Sequence, residues 1–454
     1  MPFCGNCGAE VKEGEKYCYR CGSVQQGATG IANERTGVGI GGSRSDDSIV
    51  IIAAVVIALI FLVGAGAAAY LYFPDLIPFG KGKTTDLVDD EYNSGEETGI
   101  KIGDPPPVTG TKAEGENATV VPDRYPTIQE AINSSGSGQI ITVRPETYYE
   151  NIDFKGKEVT LRSMNPDDPD VVAATILDGN FKGAVVTFKN GEGSGAVLTG
   201  FTITGGSGIR KEYIITSYDG DRLSFKRQYG GGIFITGSSP TITKNVIIDN
   251  RVENAASDEL GIGAGIAVLD GSSPLIENNA IVQNYSEGYG SGIAVFYRSH
   301  PVIRNNLIEN NRSVDFGGGI LVTMMSDPII SGNEINYNSS SSGGALYVAH
   351  MSGVTVENNL ISFNSAGLGG GILVRRTKGV LIEDNVISNN EAKKNGGGMV
   401  INYRGTATVR KNVFESNVSG AKGGAIWVSK DSRIENSPDD NSYQNNSPDN
   451  VHEK

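Results

Sequence analysis

Residues 317–338 read GGGILVTMMSDPIISGNEINYN, and residues 343–364 read GGALYVAHMSGVTVENNLISFN. The two share little except glycines, aliphatics and asparagines. Aligned on the aliphatic after the glycine pair, the frame recurs at Ile233, Ile266, Ile293, Ile320, Leu346, Ile372, Met399 and Ile426. The spacings are 33, 27, 27, 26, 26, 27 and 27. A near-constant period of this size marks stacked supersecondary units. Within each unit the apolar residues alternate in short bursts, which is the period of strands and not of helices. Three short strands with their turns make one coil of a solenoid. The expected fold is therefore mainly β, a parallel β-helix of about ten coils.

Two asparagine columns sharpen the frame. Asn245, Asn279, Asn306, Asn333, Asn359, Asn385 and Asn412 form the first; Asn250, Asn284, Asn311, Asn338, Asn364, Asn390 and Asn417 follow five residues later. Stacked strands lie about 4.8 Å apart. Amides at that spacing both donate and accept along the stack, so the columns predict asparagine ladders at the turns. Ile247, Ile281, Ile308, Ile335, Ile361, Ile387 and Phe414, between the two columns, are expected to line the interior.

Composition limits the rest. The chain has 454 residues, 62 glycines and a net charge of −14. Nucleic acid is not expected as a partner, because phosphate binding needs basic patches. All four cysteines lie at the start, in MPFCGNCGAEVKEGEKYCYRCG. Cys4 and Cys7 form one C-x2-C pair and Cys18 and Cys21 another. Two such pairs supply a closed tetrahedral S4 site for a structural zinc, without the open position that catalysis needs. Two disulfides are the bland alternative. The module resembles short zinc ribbons and spans residues 1–26, with a flexible linker at 27–48.

Residues 49–73, IVIIAAVVIALIFLVGAGAAAYLYF, carry no charge. A helix of that length reaches across a bilayer. A cleaved signal peptide is the alternative, disfavoured by the long segment ahead of it. Arg35 and Arg44 on one side balance Lys81 and Lys83 on the other, so charge does not orient the span. Thiolates persist on the reducing side. The expectation is a single-pass cell-membrane protein with a cytoplasmic N-terminus, where the ribbon could meet a cytoplasmic partner. Residues 74–117 read as an acidic Pro/Gly linker, 118–437 as the β-helix and 438–454 as a polar tail. Seven N-x-[ST] matches, at Asn117, Asn133, Asn284, Asn311, Asn338, Asn417 and Asn445, would permit glycosylation outside.

YPTIQEAI (125–132), ITVRPETYYENI (141–152) and KEVTLRS (157–163) resemble the entry segment of pectin-methylesterase-like and NosD-like right-handed β-helix proteins, a class that includes the pectate-lyase-like folds. TIQEAI is expected to form a short helix that caps the first coil. FESNVSGAKGGAIWV (414–428) resembles repeats of bacterial polymorphic outer-membrane surface proteins. The resemblance implies the fold over about 118–437. It leaves activity open, since this scaffold hosts lyases, hydrolases, esterases, epimerases and adhesins. The polygalacturonase motifs are absent, and Asp315-Phe316-Gly317 only echoes the methylesterase element. Asp249, Glu253, Asp258 and Glu259 near Arg251 read more naturally as solvated loop charges than as a calcium site. His300 and His350 fall in different columns and do not suggest a catalytic pair.

Two insertions break the period, at 207–229 and 251–262. Functional loops concentrate on such projections. The first carries Arg210, Lys211, Arg222, Lys226 and Arg227 with Tyr213, Tyr218 and Tyr229, a cation and aromatic set suited to an acidic glycan; the alternative is a cover packed on the rod. A column beside the glycine strand (Phe234, Ala267, Ala294, Leu321, Tyr347, Leu373, Val400 and Trp427) would be an interaction face if exposed and ordinary packing if the insertions cover it. The expected function is binding of a surface polysaccharide or protein. The rivals are a carbohydrate-active enzyme (lyase or epimerase) working near 207–262 and a structural envelope component. For the ribbon, metal analysis should find about one zinc per chain, lost on Cys4→Ser; a zinc-free native protein would remove the assignment.

Overall fold

A computed structural model describes residues 119–216, 222–253, 260–350 and 352–453. The four cysteines, the apolar run 49–73 and both linkers lie outside those residues. Among the described residues no helix is long and apolar enough to cross a membrane. No group of three or more His, Cys, Asp or Glu among them is placed to hold a metal ion.

The repeat folds as a parallel β-helix. The glycine strands (Ile293–Val295, Ile320–Val322, Leu346–Ala349 and their equivalents) stack into an 11-stranded sheet, the first face. The strands that hold Ile276, Ile303 and Ile330 in register form part of a 12-stranded second face, and those of the Ile308 column an 11-stranded third. A fourth, 7-stranded row of very short strands, Arg312–Ser313 among them, returns the chain to the first face. Register follows the repeat residue for residue: Ile293 pairs with Ile320, and Ile303 with Ile330. The aliphatic columns point inward and are fully buried. A buried aliphatic of this kind contributes about 1.5–3 kcal/mol.

At the entry, helix α1 (Ile128–Ser134) lays Ile128, Ala131 and Ile132 over the first coil. Thr127 caps it by accepting from the Glu130 N–H. At the other end the expected polar tail is itself a coil. Ser442–Gln444 pairs with Val413–Glu415, and Val451–Glu453 pairs with Ile426–Val428. Asn441 and Asn446, five residues apart like every earlier pair, extend the two ladders.

The ladders have one recurring geometry. The backbone N–H and Nδ2 of Asn311 both donate to Asn338 Oδ1, at 3.0 Å each. Asn338 in turn donates to Asn364 Oδ1 at 2.9 and 3.0 Å. Its Nδ2 also donates to the Ile308 carbonyl at 2.8 Å. Each amide therefore ties several coils together. Before Asn441 the chain is a short helical turn, but the residue before each earlier ladder asparagine sits in the left-handed region, for example Asn310 at φ 55° and Tyr337 at φ 54°. That conformation costs roughly 1–2 kcal/mol in a non-glycine residue, and the amide's hydrogen bonds offset it. At the start of the first face Gly317 has φ 63°. A Cβ on Gly318 would stand 2.6 Å from the Gly344 carbonyl oxygen of the next coil, so nothing larger fits without displacement.

A third ladder, of serines, follows the first face. Ser272 Oγ accepts from the Ser238 N–H, Ser326 Oγ from Ser299 and Ser352 Oγ from Ser326, at 3.2–3.3 Å. Ser238 Oγ donates to the buried Glu192 carboxylate at 2.8 Å, which ends the series.

The ladders also bear on the glycosylation matches. Asn284, Asn311, Asn338 and Asn417 are 0–1% exposed with their amides engaged. Of the matched asparagines among the described residues, only Asn133 and Asn445 are exposed. Truncating one ladder amide leaves buried donors and acceptors on both sides without partners, at about 1–3 kcal/mol each when nothing replaces them. Asn338→Ala should therefore destabilise the rod by roughly 2–4 kcal/mol, read as a lowered urea midpoint, while Glu334→Ala, exposed on the same coil, should cost much less. Equal effects would contradict the assignment.

Candidate functional site

The first insertion forms an antiparallel hairpin, Ile209–Thr216 against Arg222–Tyr229, whose second strand pairs with Leu260–Ile262. Alternation divides its residues between two faces. Lys211 is opposite Arg227, and Ile209 is opposite Tyr229; this face turns toward the rod. Arg227 is 2% exposed and Tyr229 1%. Lys211 Nζ pairs with Asp270 and reaches Thr236 Oγ1 at 3.1 Å. Arg210 and Lys226 stand on the opposite face and are exposed. Tyr218 and the side chains of Tyr213 and Arg222 lie outside the described residues. The proposed glycan set is thus split: Arg227 and Tyr229 pack as cover, while Arg210 and Lys226 face solvent.

The apolar column on the first face is covered too. Phe234, Ala267, Ala294, Leu321, Tyr347, Leu373, Val400 and Trp427 are 0–9% exposed and form a second core. As the chain returns from the fourth row, Tyr229, Ile262, Tyr289 and Phe316 fold over it. The Tyr289 and Phe316 rings stack at 5.1 Å, and Phe316 and Tyr347 at 4.8 Å. The cavity among Tyr289, Phe296, Phe316, Leu321, Thr323, Tyr347 and His350 is about 20 Å³. That is room for a water and not for a ligand. The column is therefore packing and not an interaction face.

What remains open is the turn that leaves the first face. A cleft of about 450 Å³ lies there, lined by Asp270, Gly271, Tyr297, Arg298 and Met325. That volume is in the range of small-molecule sites. Tyr297, Arg298 and Met325 all have positive φ, 54°, 58° and 63°. Met325 stands exposed there, while Tyr297 packs against the second core. Arg298 is exposed. Burial pushes the Tyr297 phenol up to about 12, with Arg227 and a hydrogen bond from Tyr229 opposing. Sequence reading missed these residues because they occupy the part of the coil that does not repeat.

The other residues weighed from sequence take structural or surface roles. His300 is exposed beside Asp327. His350 is buried, with Nδ1 2.8 Å from Thr323 Oγ1. Arg251 and Glu253 pair on the surface at 3.4 Å. Asp258 and Glu259 lie outside the described residues.

Asp315 differs from these. Burial pushes its carboxyl up to about 6, and Arg227 partly opposes the shift. A folded pKa above the unfolded value means the native state holds the proton more tightly. This contribution is fully present below about pH 4 and is lost as pH rises through about 6. Asp315→Asn should flatten that part of the stability profile between pH 4 and 6; an unchanged slope in chemical denaturation would contradict the burial of this carboxyl.

A family model described as "Right handed beta helix region" matches residues 176–361 and 313–447. No curated protein and no solved structure matches the chain. The ladders, the three stacked faces and this match agree, and the chain belongs to the right-handed β-helix family.

Proposed function

We propose that the protein binds an acidic polysaccharide on the outer edge of its β-helix. The observation that carries this reading is the cleft beside the hairpin, which Tyr297, Arg298 and Met325 line from adjacent coils. A guanidinium meets a carboxylate or sulfate with paired N–H donors, and a phenol and a thioether meet the apolar face of a sugar. The scaffold residues are committed to packing and ladders, so recognition falls to the side chains of the turn after the first face that stand outside its serine ladder and differ from coil to coil. In the same reading the chain is a single-pass membrane protein. Residues 49–73 are its anchor, Cys4, Cys7, Cys18 and Cys21 hold a structural zinc in the cytoplasm, and the acidic linker displays the rod outside.

A polysaccharide lyase or epimerase is the second reading. Lys211 and Asp270, paired beside Thr236 at the rim of the same cleft, are groups of the acid–base kind.

Titrating the detergent-solubilised full chain with polygalacturonate, alginate, a sulfated glycan and a neutral glucan separates the readings. The expected result is saturable binding to an acidic polymer, none to the glucan and no unsaturated product. Arg298→Ala should weaken binding about 10- to 100-fold, the value of a charge-assisted hydrogen bond. Binding to no acidic polymer would sink the proposal, and double-bond formation would transfer the cleft to the lyase reading.

A further inference from the structure

The edge that carries the cleft continues along the rod, and its next coils hold a second group of ligand-type residues. Arg375 and Arg376 leave one glycine strand; Asn402, Tyr403 and Arg404 leave the next; Lys430 leaves the one after. Arg375 pairs in register with Asn402. The Arg375 guanidinium lies 4.0 Å from the centre of the Tyr403 ring and that of Arg376 5.3 Å, so one aromatic ring holds two cations from the neighbouring coil. Such contacts fix guanidinium planes without neutralising them.

Three observations mark this as more than a solvated charge cluster. Arg376 makes no ion pair among the described residues, and its Nη1 is buried without a hydrogen-bond partner. Asn402 is 3% exposed, on the outward side of the first face, and its Oδ1 also lacks a partner. A buried polar atom left so costs free energy that a bound group would recover. Tyr403 is 46% exposed, an open ring beside these atoms. Asp431, the carboxylate beyond Arg404, already accepts from Ser429 Oγ at 2.6 Å. On a chain of net charge −14, this cationic stretch is an exception, and local fields draw anions to it.

We infer that Arg375, Arg376, Asn402, Tyr403 and Arg404 form a second subsite for the same ligand, an inference that rests on the polysaccharide reading of the cleft. The pairing of donors and acceptor defines the ligand. The guanidinium groups take a carboxylate or sulfate, Asn402 Oδ1 accepts from a hydroxyl, and Tyr403 covers the ring face. An acidic sugar supplies all three; a bare polyphosphate supplies only the first. Arg298 and Arg376 are three coils apart, about 14 Å along the axis, and Arg404 is a further coil on. A single sugar cannot reach both subsites. The ligand is therefore a linear acidic glycan lying along the rod, held at two places with its middle over the intervening turns.

Length dependence tests this. The full chain is titrated with a disaccharide and a long oligosaccharide of whichever acidic polymer binds, and with inorganic polyphosphate. The long oligosaccharide should bind about 10²-fold tighter than the disaccharide, since the second contact is then intramolecular. Arg376→Ala with Arg404→Ala should remove most of that gain and leave disaccharide binding at the cleft unchanged. Asn402→Ala, which keeps every charge, should narrow the preference for the glycan over polyphosphate. Equal affinity for short and long glycans would overturn the inference while leaving the cleft as a binding site. So would an unchanged gain in the double variant, or polyphosphate bound as tightly as the glycan. Binding of no acidic glycan at all would overturn both readings.

Discussion

From the coil of Phe201 and Gly206 onward, each coil of this protein is held at the height of its neighbour by side-chain amides. A ladder asparagine donates through its backbone N–H and its Nδ2 to one oxygen on the next coil, and again to a carbonyl inside the stack. Two such amides, always five residues apart, bracket the third face. A slip of one residue would break both ladders and turn the aliphatic column to solvent. Variation in length is consequently confined to other parts of the coil. The 33-residue spacing, for example, arises where residues 251–262 are inserted after Asn250, between the second ladder and the following glycine strand.

The glycine strand solves a second packing problem. Its inward residues fill the rod, while its outward residues would make a long apolar stripe in water. The chain returns from the fourth row through a glycine in the left-handed region, and in several coils an apolar residue before that glycine packs on the stripe. Tyr289 and Phe316 do this in mid-rod, and the hairpin's Tyr229 does it near the start. The first insertion therefore extends a cover that the repeat itself already builds. Its buried Arg227 and its Lys211–Asp270 pair fasten it in place.

What could be read from sequence was what recurs. The asparagine columns and the inward aliphatics follow from periodicity, because stacking forces equivalent residues into equivalent surroundings. The helix cap followed from TIQEAI. Three features did not follow. The last coil was hidden by its polar composition, NSYQNNSPDN, although Asn441 and Asn446 keep the five-residue spacing and would have disclosed it. The burial of the stripe depends on the path of the returning chain, which a column of apolar letters does not contain. The two faces of the hairpin depend on its register, which the list of cations and tyrosines in 207–229 did not provide. The cleft and the Arg376 subsite were illegible for a related reason: they sit at turn positions where each coil differs, so no period marks them.

Structure and recognition are thus divided between two kinds of residue. Those that repeat are committed to amide ladders and packing, and those at the turn leaving the first face are free to differ from coil to coil. Tyr297, Arg298, Arg376, Tyr403 and Arg404 belong to the second kind. The most direct test is a hydrogen-exchange footprint of the full chain with and without a saturating acidic polysaccharide. The account predicts new protection along that turn edge, around 297–298, 375–377 and 402–405, with the asparagine turns unchanged. Protection centred on the second or third face, or on the asparagine edges, would contradict it.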